Sequence, residues 1–315
     1  MLKSHQVVMT TLEKLVPSDH VYRKTKSLLN FKPILKKLDV LKKDNGAKGY
    51  GIENLFLCLL LQFMENLSDR EMERFLAENN SAKWFCGFGL IGDTPTYSLF
   101  NKVRIRIGCE LIAEIFNEVR SQLKAKGYIN EVFTFIDATA LISKFNLWKE
   151  KDKSIQKGYE KLNNTNIAKF SADKDARIGA KSKNKFWVGY KKHVSVDTQS
   201  GMINKVAITK ANVPDAMGLK HVCPRSGMVI ADKGYVGARN TIIAKGAYPA
   251  VILKNNMKEK NKDKDKWLTK LRSPYEGTFS KQNKRVRYRG IMKNQMAEFL
   301  YAISFNIKKL IVLES

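Results

Sequence analysis

Apolar residues recur at helical spacing through the first 128 residues and at strand spacing after residue 130. In the first part, residues 52–67 are apolar nearly all round, which is typical of a central helix in a small bundle. Ser68, followed three positions later by Glu71, matches a capping box and predicts that a new helix begins there. A long amphipathic stretch then covers residues 97–124. We therefore expect an all-α domain over residues 1–128.

Residues 129–315 read as short strands linked by helices. Strands are predicted at residues 132–136, 186–196, 202–208, 228–231 and 250–253. Helices are predicted at residues 214–221, 237–245 and 292–313, and the basic stretch 144–192 is predicted as a loop followed by a strand. Helix-linked strands after a three-strand meander predict an α/β domain, a mixed sheet flanked by helices.

The charge of the chain favours a polyanionic partner. It carries 57 Lys and Arg against 30 Asp and Glu, a formal net charge of +27. Such a field attracts DNA or RNA in a salt-dependent way, although ribosomal and membrane-surface proteins are also basic. Residues 254–293 hold fourteen Lys and Arg against four Asp and Glu, around one of the candidate acids described below.

Cysteine spacing and hydropathy bear on the compartment. The four cysteines are irregularly spaced, which argues against a zinc site or a disulfide framework and favours a reducing cytoplasm. The amino terminus does not read as a signal peptide. The most apolar run, residues 55–63, is too short to cross a bilayer, so we expect no membrane association.

Three acidic residues stand out as candidates for chemistry. Asp137 ends a β-rich run, Asp232 follows another, and Glu276 lies in the first turn of a predicted helix that begins at Ser273 and Pro274. Three carboxylates are the oxygen donors that Mg²⁺ prefers, and Mn²⁺ substitutes in such sites. Together with the basic charge, they indicate metal-assisted chemistry on nucleic acid.

Each of these residues also has a structural interpretation. Asp137 and Asp232 are both compatible with turns that close a strand. Glu276 is compatible with a capping box in which its carboxylate accepts a hydrogen bond from a backbone N–H. His193, on a predicted strand, is read as structural.

The helical first third leaves two alternatives open. Its short helices, with Arg104 and Arg106, are compatible with a DNA reader of the helix-turn-helix type. They are equally compatible with a bundle that only packs or dimerises.

The chain resembles the DDE transposases of bacterial insertion sequences, whose catalytic domain is RNase H-like. The resemblance lies in FIDAT at residues 135–139, GYKKHVSVDTQSGMI at 189–203, ADKGY at 231–235 and KRVRYRG at 284–290. A DPDAR-like segment is present at residues 173–177 as DKDAR. These motifs cover about residues 130–310, and they resemble those of a DKGY-type subgroup. Residues 1–128 resemble the amino-terminal domain of the same proteins more loosely.

The resemblance implies specific roles. Asp137, Asp232 and Glu276 would be the catalytic residues and the ligands of two Mg²⁺ ions, replaceable by Mn²⁺. The partner would be double-stranded DNA, both the element ends and the target, bound by a homo-oligomer. The residues implied to contact DNA are Lys233, Arg272, Lys281, Lys284, Arg285, Arg287 and Arg289.

The family pattern departs at one position. The family has a lysine separated from the glutamate by six residues, and this chain has Asn283 at that position. Either Lys281 or Lys284 would take the place of that lysine. The function implied is binding of terminal inverted repeats, phosphodiester cleavage and strand transfer. The alternatives are a non-catalytic or repurposed DNA-binding protein with the same fold, and an RNase H-like nuclease that cuts without joining.

Overall fold

The computed structural model describes residues 9–42, 49–143, 167, 171–182, 185–253, 257, 261–280 and 284–315. Two compact units are present: one combines Met1–Gln122 with Ile303–Ser315, and the other is Leu123–Ala302. Within the described ranges, no helix is both long enough and apolar enough to cross a membrane.

The first unit is helical. Its elements are α1 (Leu12–Leu15), α2 (Val21–Leu28), α3 (Phe31–Lys36) with a 3₁₀ turn (Lys37–Leu41), α4 (Ile52–Met64), α5 (Asp69–Glu78), α6 (Asn80–Cys86) and α7 (Tyr97–Ala125). Nearly every residue of α4 is buried, as its apolar sequence predicts. The predicted capping box is confirmed, because the Ser68 hydroxyl accepts from the Glu71 N–H and the Glu71 carboxylate accepts from the Ser68 N–H.

The long stretch predicted as one helix contains a break. Gly108, within α7, has φ 73°, a left-handed conformation that glycine adopts at little cost. Arg104, which lies before the break, is 5% exposed and donates to both carboxylate oxygens of Asp69, at 2.8 and 2.5 Å. Arg106 donates to the carbonyl of Leu41. Arg104 is therefore buried in an ion pair within this unit, whereas Arg106 is exposed, and the alternative of a DNA-binding domain stays a prediction.

The end of the chain contributes to the same helical unit. The last helix, α11 (Ile291–Leu313), extends into it with its second half. Ile303 and Ile307 line a small apolar space together with Phe56, Leu60 and Ile115. The apolar interior of this helical unit thus contains residues from the first and the last part of the sequence.

The second unit is built on a six-stranded mixed sheet. Its strands are β1 (Phe133–Ile142), β2 (Arg177–Ser182), β3 (Lys185–Asp197), β4 (Ile203–Lys210), β5 (Met228–Ala231) and β6 (Tyr248–Val251). The order is β2-β3-β1-β5-β6, and β4 also pairs with β3. β1 is antiparallel to β3 and parallel to β5, and β5 is parallel to β6. The helices of this unit are α8 (Asp215–Val222), α9 (Arg239–Ala244), α10 (Lys262–Ser280) and the first half of α11, and a 3₁₀ helix (Lys233–Ala238) precedes α9.

Helices cover both faces of this sheet. Ile136 faces a cluster that includes Leu219 of α8 and Ile242 of α9. The neighbouring residue Phe135 points to the opposite face, because side chains alternate along a strand. Its ring lies 6.3 Å from that of Tyr275 in α10. The predicted fold class, a mixed sheet flanked by helices and preceded by a helical region, is confirmed.

The first strand is longer than predicted. It is predicted to end at residue 136 but continues to Ile142, so Asp137 lies inside β1 and its interpretation as a turn residue is wrong.

The structure also corrects the predictions for β2 and for α10. β2 falls within the stretch predicted as a loop, and it pairs with β3 in antiparallel register. The helix predicted to begin at Ser273 begins eleven positions earlier, at Lys262. The Asn261 side chain caps it by accepting from the N–H groups of Asp263 and Lys264, at 3.1 and 3.0 Å. Pro274 therefore lies inside α10, and the predicted Ser273 cap with Glu276 at its third position is wrong.

Candidate active site

Asp137 and Asp232 are brought near each other by the pairing of β1 with β5. Ile136 of β1 is in register with Ala231, the last residue of β5. Asp137 is the next residue of β1, Asp232 is the first residue after β5, and adjacent strands are about 4.8 Å apart. On its other side, Asp137 pairs with Val194 of β3. The place where the pairing of β1 with β5 ends therefore carries two acids on neighbouring segments of the chain.

Each of these carboxylates is oriented by the backbone that follows it. Asp137 Oδ1 accepts from the Ala138 N–H at 2.8 Å, and Asp232 Oδ1 accepts from the Lys233 N–H. Asp232 thereby caps the 3₁₀ helix. Both residues are half-buried. The capping interpretation of Asp232 is thus compatible with a second role, because a carboxylate has two oxygens.

Tyr235 connects this pair to a third acid. Its side chain is 1% exposed, and its hydroxyl has no hydrogen-bond partner among the described residues. Burial, followed by the negative charges of Asp215, Asp137 and Asp232, raises the pKa of this hydroxyl. Three carboxylates therefore act on one buried phenol. Tyr235 is part of the ADKGY motif, but no role was predicted for it from the sequence.

Asp215 is held in place by a lysine of the sheet. Lys191 Nζ donates to Asp215 Oδ1 at 2.8 Å and to the Val213 carbonyl at 2.9 Å. Asp215 begins α8, on the side of the sheet that Tyr235 also packs against. Asp215 was not predicted from the sequence, because it lies at the start of a helix and outside the quoted motifs.

His193 is placed as a packing residue. It is fully buried, its Nε2 lies 2.8 Å from the Thr209 hydroxyl, and its ring lies against Gly218 of α8. Burial lowers the pKa of His193 to about 4, so the ring is neutral at physiological pH.

The helix that carries Glu276 lies on the Asp137 face of the sheet. Phe135 and Asp137 are two positions apart on β1 and point to the same side. Tyr275 contacts Phe135, and Glu276 is the next residue of α10. Arg272 lies one turn before Glu276 on the same helix. The side chains of Arg272 and Glu276 lie outside the described part of the structure, so only their positions along α10 are given.

The predicted DNA-contacting residues after Glu276 lie on a segment pinned to the sheet. We call residues 284–289 the basic strap; Lys284, Arg285 and Arg289 are exposed and Arg287 is half-buried. The Ile142 N–H donates to the Lys284 carbonyl at 2.8 Å, and the Val286 N–H donates to the Ile142 carbonyl at 3.0 Å. The strap therefore runs beside the end of β1. Lys233 is exposed next to Asp232, and Lys281 lies outside the described residues.

Two aspartates of the DKDAR segment fix the far end of the strap. Asp173, 1% exposed, accepts from the Ser143 hydroxyl at 2.8 Å, the Tyr190 hydroxyl at 2.6 Å and the Gly290 N–H at 3.1 Å. Asp175 accepts from the Ile291 N–H at 3.0 Å. The DKDAR word, which sequence reasoning noticed without assigning a role, thus holds the turn that joins the basic strap to α11.

The donor chemistry fits a hard divalent cation. The carboxylates of Asp137 and Asp232 lie on neighbouring segments of the sheet, and their charges act on a buried hydroxyl that can accept or donate a hydrogen bond. Across the described residues, no three His, Cys, Asp or Glu side chains come together closely enough to hold a metal ion. The third carboxylate predicted from the sequence is that of Glu276, whose side chain lies outside the described part of the structure.

Comparisons with known proteins agree with the sequence resemblance. Residues 133–301 match the family model described as "Transposase DDE domain", and residues 10–106 match "Transposase domain (DUF772)". Among solved structures, the chain is similar to one described as "Cryo-EM structure of piggyBac transposase synaptic complex with hairpin DNA (SNHP)". That similarity covers 96% of this chain and 75% of the other, with 10% identity and a TM-score of 0.40.

Proposed function

This chain belongs to the transposase DDE domain family and is a transposase of the insertion-sequence type, and from this premise we propose how it acts. It binds the two ends of its element, cleaves a phosphodiester there and joins the freed 3′ hydroxyl to target DNA. Asp137, Asp232 and Glu276 are the catalytic residues. The subgroup defined by the DKGY word is part of the same proposal.

The observation that carries this proposal is the adjacency of Asp137 and Asp232. Asp137 lies within β1, and Asp232 directly follows β5, its parallel neighbour. Two carboxylates on neighbouring segments repel each other, and a divalent cation would neutralise their charge. We therefore propose a divalent cation as a partner of this pair.

The family generally uses divalent metal ions, and Mg²⁺ is our specific proposal, with Mn²⁺ as a substitute. Asp137, Asp232 and Glu276 would hold two such ions, which when bound neutralise phosphoryl charge and activate the attacking oxygen. The remaining work of the protein is positioning. β1 and β5 fix the two aspartates, and α10 brings the Glu276 position to the same face of the sheet.

DNA binding is proposed to rest on the cations around Glu276. The basic strap presents Lys284, Arg285 and Arg289 to solvent, and Lys233 is exposed beside Asp232. Arg272 and Lys281 complete the set by their sequence positions, and Lys284 takes the phosphate contact expected at Asn283. These groups neutralise backbone phosphates, so binding weakens as salt increases. Two ends must be paired during the reaction, which calls for at least a dimer on DNA.

The test uses isosteric variants and a matched control. Purified protein is incubated with Mg²⁺ or Mn²⁺, DNA carrying the sequences that flank its gene, and a supercoiled target plasmid. Asp137→Asn, Asp232→Asn and Glu276→Gln should each bind the ends as wild type does. Each should lower cut and joined product at least about 1,000-fold, equivalent to about 4 kcal/mol of transition-state stabilisation. Asp263→Asn, an exposed acid on the same helix, should remain active.

Products separate the alternatives. Ends covalently joined to the plasmid indicate a transposase in action, whereas released ends without joining indicate a nuclease. Binding without any cut indicates a repurposed DNA-binding protein. Full activity in one of the three isosteric variants would show that the residue is misassigned.

A further inference from the structure

A surface groove lies at the outer edge of the sheet, away from the acids. It has a volume of about 530 Å³, and the residues that line it include Arg239, Ile243, Tyr248, Pro249 and Lys264. It is formed by β6, by α9 before it and by the start of α10 after it. The volume falls in the range of small-ligand sites.

The groove exposes apolar surface that the fold leaves uncovered. Tyr248 is 57% exposed and Ile243 is 60% exposed, although both are large hydrophobic residues. Tyr248 is fixed at its backbone, because its N–H donates to the Gly227 carbonyl at 2.7 Å. Pro249 lacks an N–H and is suited to the edge strand on which it lies. The tyrosine ring is therefore presented to solvent from a rigid strand.

Cations flank this ring. Lys264 Nζ lies 5.7 Å from the centre of the Tyr248 ring, within the range of a cation–π contact. Arg239 also lines the groove. None of the described residues that line the groove is acidic. An exposed aromatic ring in a groove with two cations matches the chemistry of an unpaired nucleotide, which stacks its base and pairs its phosphate with a positive charge.

We propose that this groove binds an unpaired nucleotide of the DNA that the enzyme processes, with its base stacked on Tyr248. The phosphate of that nucleotide contacts Lys264 and Arg239, and Ile243 contacts the base edge. The inference rests on the proposed function, because that function supplies the DNA.

The register of the sheet gives the position of this nucleotide. Tyr248 pairs with Met228, and Met228 pairs with Phe133, which is four residues before Asp137. Four residues along the strand and two strands across give a separation of about 16 Å between Tyr248 and Asp137. At about 3.4 Å per base pair, the stacked base lies roughly five base pairs from the cleaved phosphate. The same DNA molecule therefore reaches both sites.

The experiment compares two DNA ligands of the same length and sequence. One is fully paired, and the other carries four unpaired nucleotides with 2-aminopurine at one of them. Wild type should bind the second DNA more tightly and quench its fluorescence, as stacking requires. Tyr248→Ala should weaken binding of the second DNA by about 5- to 150-fold and abolish quenching. Binding of paired DNA should stay within twofold of wild type.

Three further variants sharpen the test. Tyr248→Phe keeps the ring and should bind as wild type does. Lys264→Ala should flatten the dependence of the logarithm of the binding constant on the logarithm of salt concentration by about 0.7. Tyr97→Ala removes another exposed tyrosine with a cation, Arg70, 4.9 Å from its ring centre, and should change nothing.

The outcomes are distinct. Equal binding and quenching by wild type and Tyr248→Ala would overturn the groove while leaving the proposed function standing. A wild-type protein that binds neither DNA would overturn both. Because Tyr248 is exposed, its variants should keep the wild-type melting temperature, which excludes unfolding as the cause of a loss.

Discussion

Asp173 is the residue whose removal should most clearly separate folding from DNA binding. Its carboxylate accepts hydrogen bonds from Ser143, Tyr190 and Gly290, and it is almost fully buried. Asp173→Ala would remove this acceptor from two hydroxyls, those of Ser143 and Tyr190, and from two N–H groups, those of Gly290 and Asp175. Burial, together with the hydrogen bond to Asp173, also raises the pKa of Tyr190, so this phenol stays protonated as a donor.

The magnitude follows from these contacts. Each hydrogen bond to a charged group contributes about 1.5–3 kcal/mol, but such values are not additive, and single substitutions rarely exceed about 5 kcal/mol. We expect Asp173→Ala to lower the free energy of unfolding by about 4 kcal/mol. For a unit of this size the melting temperature would fall by about 8–16 °C. Asp173→Asn retains one acceptor oxygen and should cost about 1–2 kcal/mol.

Thermal unfolding measured by circular dichroism tests the stability of these variants, and DNA binding in a salt series tests the basic strap. Asp173→Asn, folded at 25 °C, should bind DNA with a shallower salt dependence, by about 0.9 for each phosphate contact that the strap loses. Asp263→Asn serves as an exposed control. If Asp173→Ala melts within about 2 °C of wild type, the hydrogen bonds of Asp173 do not stabilise the fold as we describe.

Three other predictions concern packing and charge. Gly218→Ala should lower stability by about 1–3 kcal/mol in urea unfolding, because the added carbon would lie 2.2 Å from the His193 ring; an unchanged midpoint would contradict this contact. Because the unfolded His193 takes up a proton near pH 6.5 and the folded one near pH 4, unfolding free energy should fall by about 3 kcal/mol as pH drops across this window. His193→Gln, which keeps a hydrogen-bond partner for Thr209, should make the free energy of unfolding less dependent on pH in this window. Arg104→Met should lower stability by about 2–4 kcal/mol, since it leaves Asp69 without its buried partner, and Asp69→Asn should cost less.

The sequence predicts best where the structure depends on neighbours along the chain. The capping box at Ser68 and Glu71 needs only four consecutive positions, and it forms as predicted. The strand that contains Asp137 and the strand that Asp232 follows are also predicted from local patterns. Their parallel pairing is expected because a helix lies between β4 and β5 in the sequence. The adjacency of these two acids is accordingly close to what sequence reasoning expects.

The failures all involve partners distant in sequence or signals that compete. Ser273 and Pro274 form a strong local start signal, but Asn261 caps the helix earlier, and helix packing tolerates the proline. Arg104 looks like a surface cation until Asp69 is placed beside it. β2 is polar and glycine-containing, so only its pairing with β3 makes it a strand.

The shared membership of the last helix has a consequence for synthesis. A ribosome releases the amino end first, and domains generally fold in that order. Here the sheet unit, Leu123–Ala302, is complete before Ile303–Ser315 has been made, whereas the helical unit still lacks part of its interior. Until residues 303–315 have been synthesised, Phe56 and Leu60 have no Ile303 or Ile307 to cover them. A stop codon before residue 303 would therefore leave the earliest-made part of the polypeptide exposed to chaperones and proteases.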